Sequence, residues 1–188
     1  MARKSQPPED ESSLPLDAGK GDLGFLGNYP LNLDEKLRLT VPARFKAILQ
    51  RKCGGRSGAT AVVVTVSLDR DFRNAAVYPL SEWKHYIGQL QGLSVLERHS
   101  QQLQRLVTSL ASPCELDSQG RIRLSKKLVE VAQLEKHVLV VGRGTHFEIW
   151  DQRRFDEFVE NTISHADTMS DSAVERMTAA PGSSQSQR

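Results

Sequence analysis

The chain has 188 residues, of which 38% are hydrophobic and 26% charged, and its formal net charge is +2 at pH 7. This length suits one domain or two small ones with a hydrophobic core. The N-terminus carries charges and prolines where a secretion signal needs an apolar run, and no segment approaches the roughly 18 uninterrupted apolar residues of a membrane-spanning helix. We therefore expect an intracellular protein without a membrane partner.

The sequence offers little support for metal or cofactor chemistry. Cys53 and Cys114 have no Cys-x-x-Cys spacing, and no two of the five histidines are separated by four positions. The glycine-rich segment 54–58 lacks the Gly-Lys-Ser/Thr ending of a phosphate-binding loop. No spacing typical of nucleophilic catalysis occurs. The sequence therefore predicts no metal, no cofactor and no enzymatic activity.

Both ends of the chain, residues 1–22 and 165–188, are predicted to be disordered tails. They are rich in Ser, Pro, Gln and acidic residues and poor in large apolar side chains. Ordering such segments costs more conformational entropy than their burial can offset. The folded part is therefore expected between them.

The first predicted repeat spans residues 23–93. Apolar side chains alternate with polar ones on both sides of a short turn in 29–41, which predicts a β-hairpin. Pro42 suits the first position of a short helix. A second hairpin and a closing helix follow, over residues 62–66 with 77–78 and over 81–90.

After a connecting helix predicted over residues 94–110, the same series recurs in a second repeat, residues 111–164. Its first hairpin turns at 117–120, and Ser125 replaces Pro42 as the start of the short helix. The sequence thus predicts an α+β fold in which hairpin, helix, hairpin and helix are used twice.

The strongest signal in the sequence is an internal repeat of one motif. Leu33-Asp34-x-x-x-Arg38-Leu39 recurs as Leu116-Asp117-x-x-x-Arg121-Ile122, with the two aspartates 83 positions apart (117 − 34). Each copy leads into Arg and Lys residues with no acid among them, over 36–56 and 121–127. Two equivalent basic patches on a duplicated scaffold suggest a polyanion with its own repeat, and double-stranded DNA is the first candidate.

The Asp-x-x-x-Arg pairs allow two interpretations. Each pair can be a structural ion pair across a turn, which stabilises little when exposed. Alternatively, Asp orients the planar guanidinium at a protruding tip, where it can meet phosphates or guanine edges. The turn also differs between copies: Gly120 suits a positive φ, but Leu37 occupies that place in the first copy. This difference predicts either a strained backbone or a differently shaped turn there.

The chain resembles the MraZ family over residues 25–162. The resemblance is carried by Phe25-Leu26-Gly27-Asn28-Tyr29, Leu33-Asp34-x-x-x-Arg38-Leu39-x-Val41-Pro42-Ala43-x-Phe45, Tyr78-Pro79-Leu80-x-Glu82-Trp83, Cys114-Glu115-Leu116-Asp117-x-x-Gly120-Arg121-Ile122 and Glu148-Ile149-Trp150. It implies tandem AbrB-like repeats, swapped hairpins in a pseudo-two-fold barrel, and a ring of identical chains. It also implies a nucleoid-associated, cytoplasmic bacterial regulator of the cell-wall and division gene cluster, which binds repeated promoter sites.

The resemblance places the family's Asp-x-x-x-Arg motifs at two aspartates and two arginines, and position suggests five further residues as phosphate contacts. The predicted DNA-binding residues are Asp34, Lys36, Arg38, Arg44, Asp117, Arg121, Arg123, Lys126 and Lys127. The main alternative is a non-enzymatic interaction or scaffold module whose basic hairpins bind an acidic partner. An enzyme that uses Asp and Arg in a cleft is the third reading.

Overall fold

The computed structural model describes residues 23–53, 60–68, 73–92 and 98–165. The predicted tails, apart from His165, and the segment 54–58 lie outside these residues. The described part is a mixed α+β fold. Its elements are β1 (Asn28–Asn32), β2 (Arg38–Thr40), α1 (Ala43–Cys53), β3 (Ala61–Leu68), β4 (Arg73–Pro79), α2 (Leu80–Gln91), α3 (Arg98–Leu110), β5 (Ser112–Glu115), β6 (Arg121–Arg123), α4 (Lys126–Val131), β7 (His137–Gly142), β8 (Phe147–Asp151) and α5 (Gln152–Ser164). None of the helices in these ranges is long and apolar enough to cross a membrane.

The strands form one six-stranded antiparallel sheet, in the order β1-β7-β8-β4-β3-β5, and a separate two-stranded ribbon of β2 with β6. Between the two repeats, β1 corresponds to β5, β3 to β7 and β4 to β8. When each strand is replaced by its counterpart, the strand order is the same read from the opposite end of the sheet. The symmetry centre lies between Ala76 and Glu148 in the sheet and between Leu39 and Ile122 in the ribbon, where each pair is directly opposite. The duplication is therefore present as a pseudo-two-fold axis.

The first hairpin predicted for each repeat does not pair with itself. β1 pairs with β7, β2 with β6, and β5 with β3, so strands on the two sides of each turn take partners elsewhere in the chain. The ribbon strands have only three residues each, and pairing across the axis leaves Leu39 and Ile122 both 0% exposed. Burial of these side chains between the halves explains the exchange.

A closed barrel, which the resemblance implied, is not found among the described strands. β1 and β5 lie at opposite ends of the sheet order and do not meet, so the sheet is open. Pro30 lies in β1 opposite Leu139, and Pro113 lies in β5 opposite Val63. Proline cannot donate to a further strand and is tolerated at sheet edges, where its missing N–H faces outward.

The other predicted hairpins and the short helices are present. β3 pairs with β4 and β7 with β8. α1 buries Phe45, Ile48 and Leu49, the face that its apolar spacing indicates. Pro42 lies just before α1 and accepts a hydrogen bond from Lys46 N at 2.9 Å, so it occupies the cap position instead of the first helical one. Ser125 caps α4 through its side chain.

Three aromatic rings from separate parts of the chain meet in the core. Phe25, Phe45 and Phe147 are all 0% exposed, and their ring centroids lie 5.2 to 5.4 Å apart. These contacts lock α1 against β8 of the other half. The start of α1 is thereby held in a fixed position next to the ribbon. The boundaries proposed for the two repeats stay a prediction.

Candidate nucleic-acid interface

The first tip, residues 34–38, is a tight turn organised by one carboxylate. Asp34 Oδ1 accepts hydrogen bonds from the backbone N–H groups of Lys36 and Arg38, both at 2.9 Å. Its Oδ2 accepts from Arg38 Nε and Nη2, both at 2.7 Å. Because two guanidinium nitrogens bind one oxygen, the plane of Arg38 is fixed relative to the turn.

The second tip, residues 117–121, repeats this arrangement. Asp117 Oδ1 accepts from the backbone N–H groups of Gln119 at 2.9 Å and Arg121 at 3.0 Å. Its Oδ2 accepts from Arg121 Nε at 2.8 Å and Nη2 at 2.7 Å. The arginine side chains stay partly accessible, 30% for Arg38 and 24% for Arg121, so part of each guanidinium can still reach a ligand.

Leu37 adopts the same left-handed turn as Gly120, with φ of 57° against 72°. Of the two possibilities left open by the sequence, a strained backbone or a different turn, the strained backbone is the one present. A side chain in this region costs on the order of 1 kcal/mol. Leu37 offsets that cost because its side chain is half-buried against the core.

The ionisation of both aspartates is set by the turn. Hydrogen bonds from the arginine side chain, and then from its backbone N–H, lower the pKa of Asp34 and Asp117 below the ordinary value. Both carboxylates are partly accessible to solvent, with 37% of each side chain exposed, so solvent screens these interactions. The carboxylates are charged at neutral pH, and their main effect is to orient the arginines.

The ribbon brings both motifs onto one surface. Leu39 and Ile122 point into the core, so the neighbouring positions point outward, with Arg38 opposite Arg123 and Thr40 opposite Arg121. Each tip had been expected to present its own two-stranded hairpin. The structure instead builds a single ribbon from both halves, and its outer face carries three arginines.

Adjacent arginines on this face cost stability. Like charges directly opposite in an antiparallel pair are destabilising, and Arg38 and Arg123 occupy such positions. Among the described residues, Arg38 has its own aspartate, but no ion pair of Arg123 is found. A surface that tolerates this repulsion is suited to an external anion.

The remaining predicted residues lie around the tips in different states. Lys36 is exposed in the first turn, and Lys126 is exposed at the start of α4. Lys127 Nζ contacts Glu130 Oε2 at 3.1 Å, an exposed pair that does little to hold the lysine. Arg44 is half-buried, and its Nε has no hydrogen-bond partner within the described ranges. Their roles as phosphate contacts stay predictions.

One basic residue outside the predicted set reaches a tip. Lys46 of α1 lies against Gly120: a Cβ placed on Gly120 would be 2.9 Å from Lys46 Cδ and 3.3 Å from its Nζ. The sequence places Lys46 in the first basic run, but no local signal assigns it to the second tip. That contact depends on the exchange of strands across the axis.

Comparison with known proteins gives a consistent result. The family model for the MraZ protein matches residues 25–106 and 108–178. A protein of Thioalkalivibrio sulfidiphilus named transcriptional regulator MraZ is 41% identical over 128 residues, which are 68% of this chain and 80% of that protein. Proteins with the same name from Methylococcus capsulatus and Tolumonas auensis are 34% and 36% identical, over 76% and 73% of this chain and 88% and 86% of their own lengths.

The first prediction concerns pH. Because the folded-state pKa of each aspartate is depressed, the stabilisation from ionised Asp34 and Asp117 is fully present above the unfolded value and is lost as pH falls through the folded value. In an NMR titration, both carboxylates should have midpoints below 3.8, the ordinary value. Arg121→Gln should raise the Asp117 midpoint and leave that of Asp34 unchanged. Equal shifts at both sites would contradict independent tips.

The second prediction concerns the repulsion on the ribbon. Arg123→Thr copies the pseudo-equivalent Thr40 and removes the Arg38–Arg123 opposition, so it should stabilise the fold by about 0.2–1 kcal/mol in urea unfolding at low salt. The gain should shrink as salt is added. Thr40→Arg, which places a new arginine opposite Arg121, is the matched control and should destabilise. A salt-independent gain would rule out charge repulsion as its cause.

Proposed function

The chain belongs to the MraZ family, and from that premise we propose that it is a transcriptional regulator that binds specific DNA sequences through its two tips and the ribbon. The observation that carries the proposal is the outer face of the ribbon, where Arg38, Arg121 and Arg123 lie together and two of them are oriented by aspartates. The names of the relatives support the regulatory role.

The chemistry of the tips suits duplex DNA. A two-stranded antiparallel ribbon fits the major groove, and an oriented guanidinium can donate two parallel hydrogen bonds to guanine O6 and N7. Arg38 and Arg121 are therefore assigned to base edges, with Asp34 and Asp117 as their positioning residues. Phosphate contacts are assigned to the surrounding cations, Lys36, Arg44, Arg123, Lys126 and Lys127.

The target and the cellular site follow from the family. We propose that the DNA is the promoter region of the bacterial cell-wall and division gene cluster, and that the protein acts in the cytoplasm at the nucleoid. Repeated promoter sites suit a protein that presents the same ribbon several times.

Assembly into a ring is part of the proposal. One ribbon offers few phosphate contacts, so a single chain should bind DNA weakly. A closed ring with heterologous contacts between chains would present successive ribbons to successive repeats, with a gain in effective concentration. The predicted division of the chain into repeats over 23–93 and 111–164, joined by the connecting helix predicted over 94–110, fits a subunit with two tips.

The third prediction tests recognition. Arg121→Gln should reduce affinity for the promoter sequence by about 10- to 100-fold and reduce discrimination against altered sites, as expected for a bidentate base contact. Lys126→Gln should weaken all sequences alike and reduce the log–log salt slope by about 0.9. Lys84→Gln, an exposed lysine on α2 outside the ribbon and tips, is the control. Affinity that shows no sequence preference would favour the scaffold alternative.

The fourth prediction tests assembly. Light scattering at micromolar concentration should give a mass that is a multiple of the 20.9 kDa chain. A closed ring gives one sharp species whose mass does not rise further with concentration, whereas an open heterologous assembly keeps growing. A monomer at this concentration would contradict the ring.

A further inference from the structure

The start of α1 is fastened to the second tip, across the pseudo-two-fold axis. Val41 N donates to Gly120 O at 3.0 Å, immediately before the helix begins. One turn later, the stem of Lys46 lies over Gly120, so the ammonium group is held beside the turn that carries Arg121. This contact joins a cation of the first half to the tip of the second.

The first tip has the same backbone bond and a different pair of residues. Leu124 N donates to Leu37 O at 2.8 Å, the equivalent of the bond from Val41 to Gly120. The position equivalent to Lys46 in the second half is Val129, 83 residues later (129 − 46). Leu37 and Val129 are both half-buried and line one groove between the first tip and α4.

The pair at the second tip, Gly120 with Lys46, and the pair at the first tip, Leu37 with Val129, differ in side-chain size and in charge. At the second tip, the absence of a side chain on Gly120 leaves room for the Lys46 stem. At the first tip, Leu37 lies beside the groove that it shares with Val129, and no ammonium is supplied from that position. The first-tip groove is lined by three cations, Lys126, Arg153 and Arg154, and by carboxylates that include Glu35, Glu130 and Glu157.

We propose that Lys46 is a DNA phosphate contact of the second tip, supplied across the pseudo-two-fold axis from a position that carries no cation in the other half. This inference rests on the proposed DNA-binding function and adds a residue and an asymmetry to it. The stem of Lys46 covers Gly120, and this contact holds the ammonium beside the turn that carries Arg121. At the first tip the position equivalent to Lys46 is Val129, and ammonium groups come instead from Lys36 in the turn and Lys126 at the start of α4, so the two tips take their cations from different positions.

The test exchanges the pairs between the tips. Lys46→Val with Gly120→Leu gives the second tip the pair of the first, and Leu37→Gly with Val129→Lys does the reverse. The natural chain and both double variants are titrated with promoter DNA and with a scrambled duplex between about 50 and 200 mM salt. Urea unfolding is measured for each variant and for Gly120→Leu alone, in which the new side chain meets Lys46.

Loss of one phosphate contact should reduce the magnitude of the log–log salt slope of the first double variant by about 0.9. The ratio of natural to variant affinity should therefore be about 3.5-fold larger at 50 mM salt than at 200 mM. The slope of the second double variant should increase in magnitude by a similar amount. Gly120→Leu alone should be less stable than its combination with Lys46→Val, because the double variant removes the 2.9 Å approach to Lys46 Cδ.

Lys46→Gln tests the charge without altering Gly120 and serves if a double variant fails to fold. It should lower the slope by about 0.9, whereas Lys52→Gln, on the same helix and paired with Glu82, should leave the slope unchanged. If the natural chain binds specifically and Lys46→Gln keeps the natural slope, the Lys46 inference is overturned and the proposed function stands. If the natural chain shows no preference for the promoter, the proposed function itself fails.

Discussion

The pairing of β2 with β6 is the constraint on which the rest of the molecule depends. Leu39 and Ile122 meet at the pseudo-two-fold axis with no exposed surface, and a backbone bond on each side closes the pair. Because each half lends a strand to the other, the ribbon does not exist without both halves. The exposed arginines owe their common surface to two buried aliphatic side chains beneath them.

What the sequence could predict is local. Asp34 and Asp117 specify their turns through bonds to residues two and four positions later, and Ser125 caps the helix that it begins. Such contacts lie within a few residues, so a motif and its spacing contain them. Alternating apolar residues also predict strands, but period-two alternation does not specify which strand is the partner. The expected self-pairing of the first hairpin in each repeat was wrong for that reason, and the contact of Lys46 with the second tip was missed with it.

The interface carries local energetic costs that the remainder of the fold supports. Leu37 holds a positive φ, Arg38 and Arg123 lie opposite each other, and Arg44 Nε lacks a partner within the described residues. Two similar exceptions lie outside the tips: Gln133 has a φ of 53°, and Asn74 in β4 has two buried side-chain atoms without partners among the described residues. The packed rings of Phe25, Phe45 and Phe147 contribute to the core that supports these costs.

Pro30 and Pro113 occupy equivalent positions in the two edge strands of the sheet, 83 residues apart (113 − 30). A strand added at either edge would find one donor missing near its middle, so the sheet resists extension by backbone pairing at both ends. Chains that stack through their edges form fibres of indefinite length. The duplicated prolines disfavour that route, so the assembly proposed above would join copies of this chain through side-chain surfaces and not through the edges of the sheet.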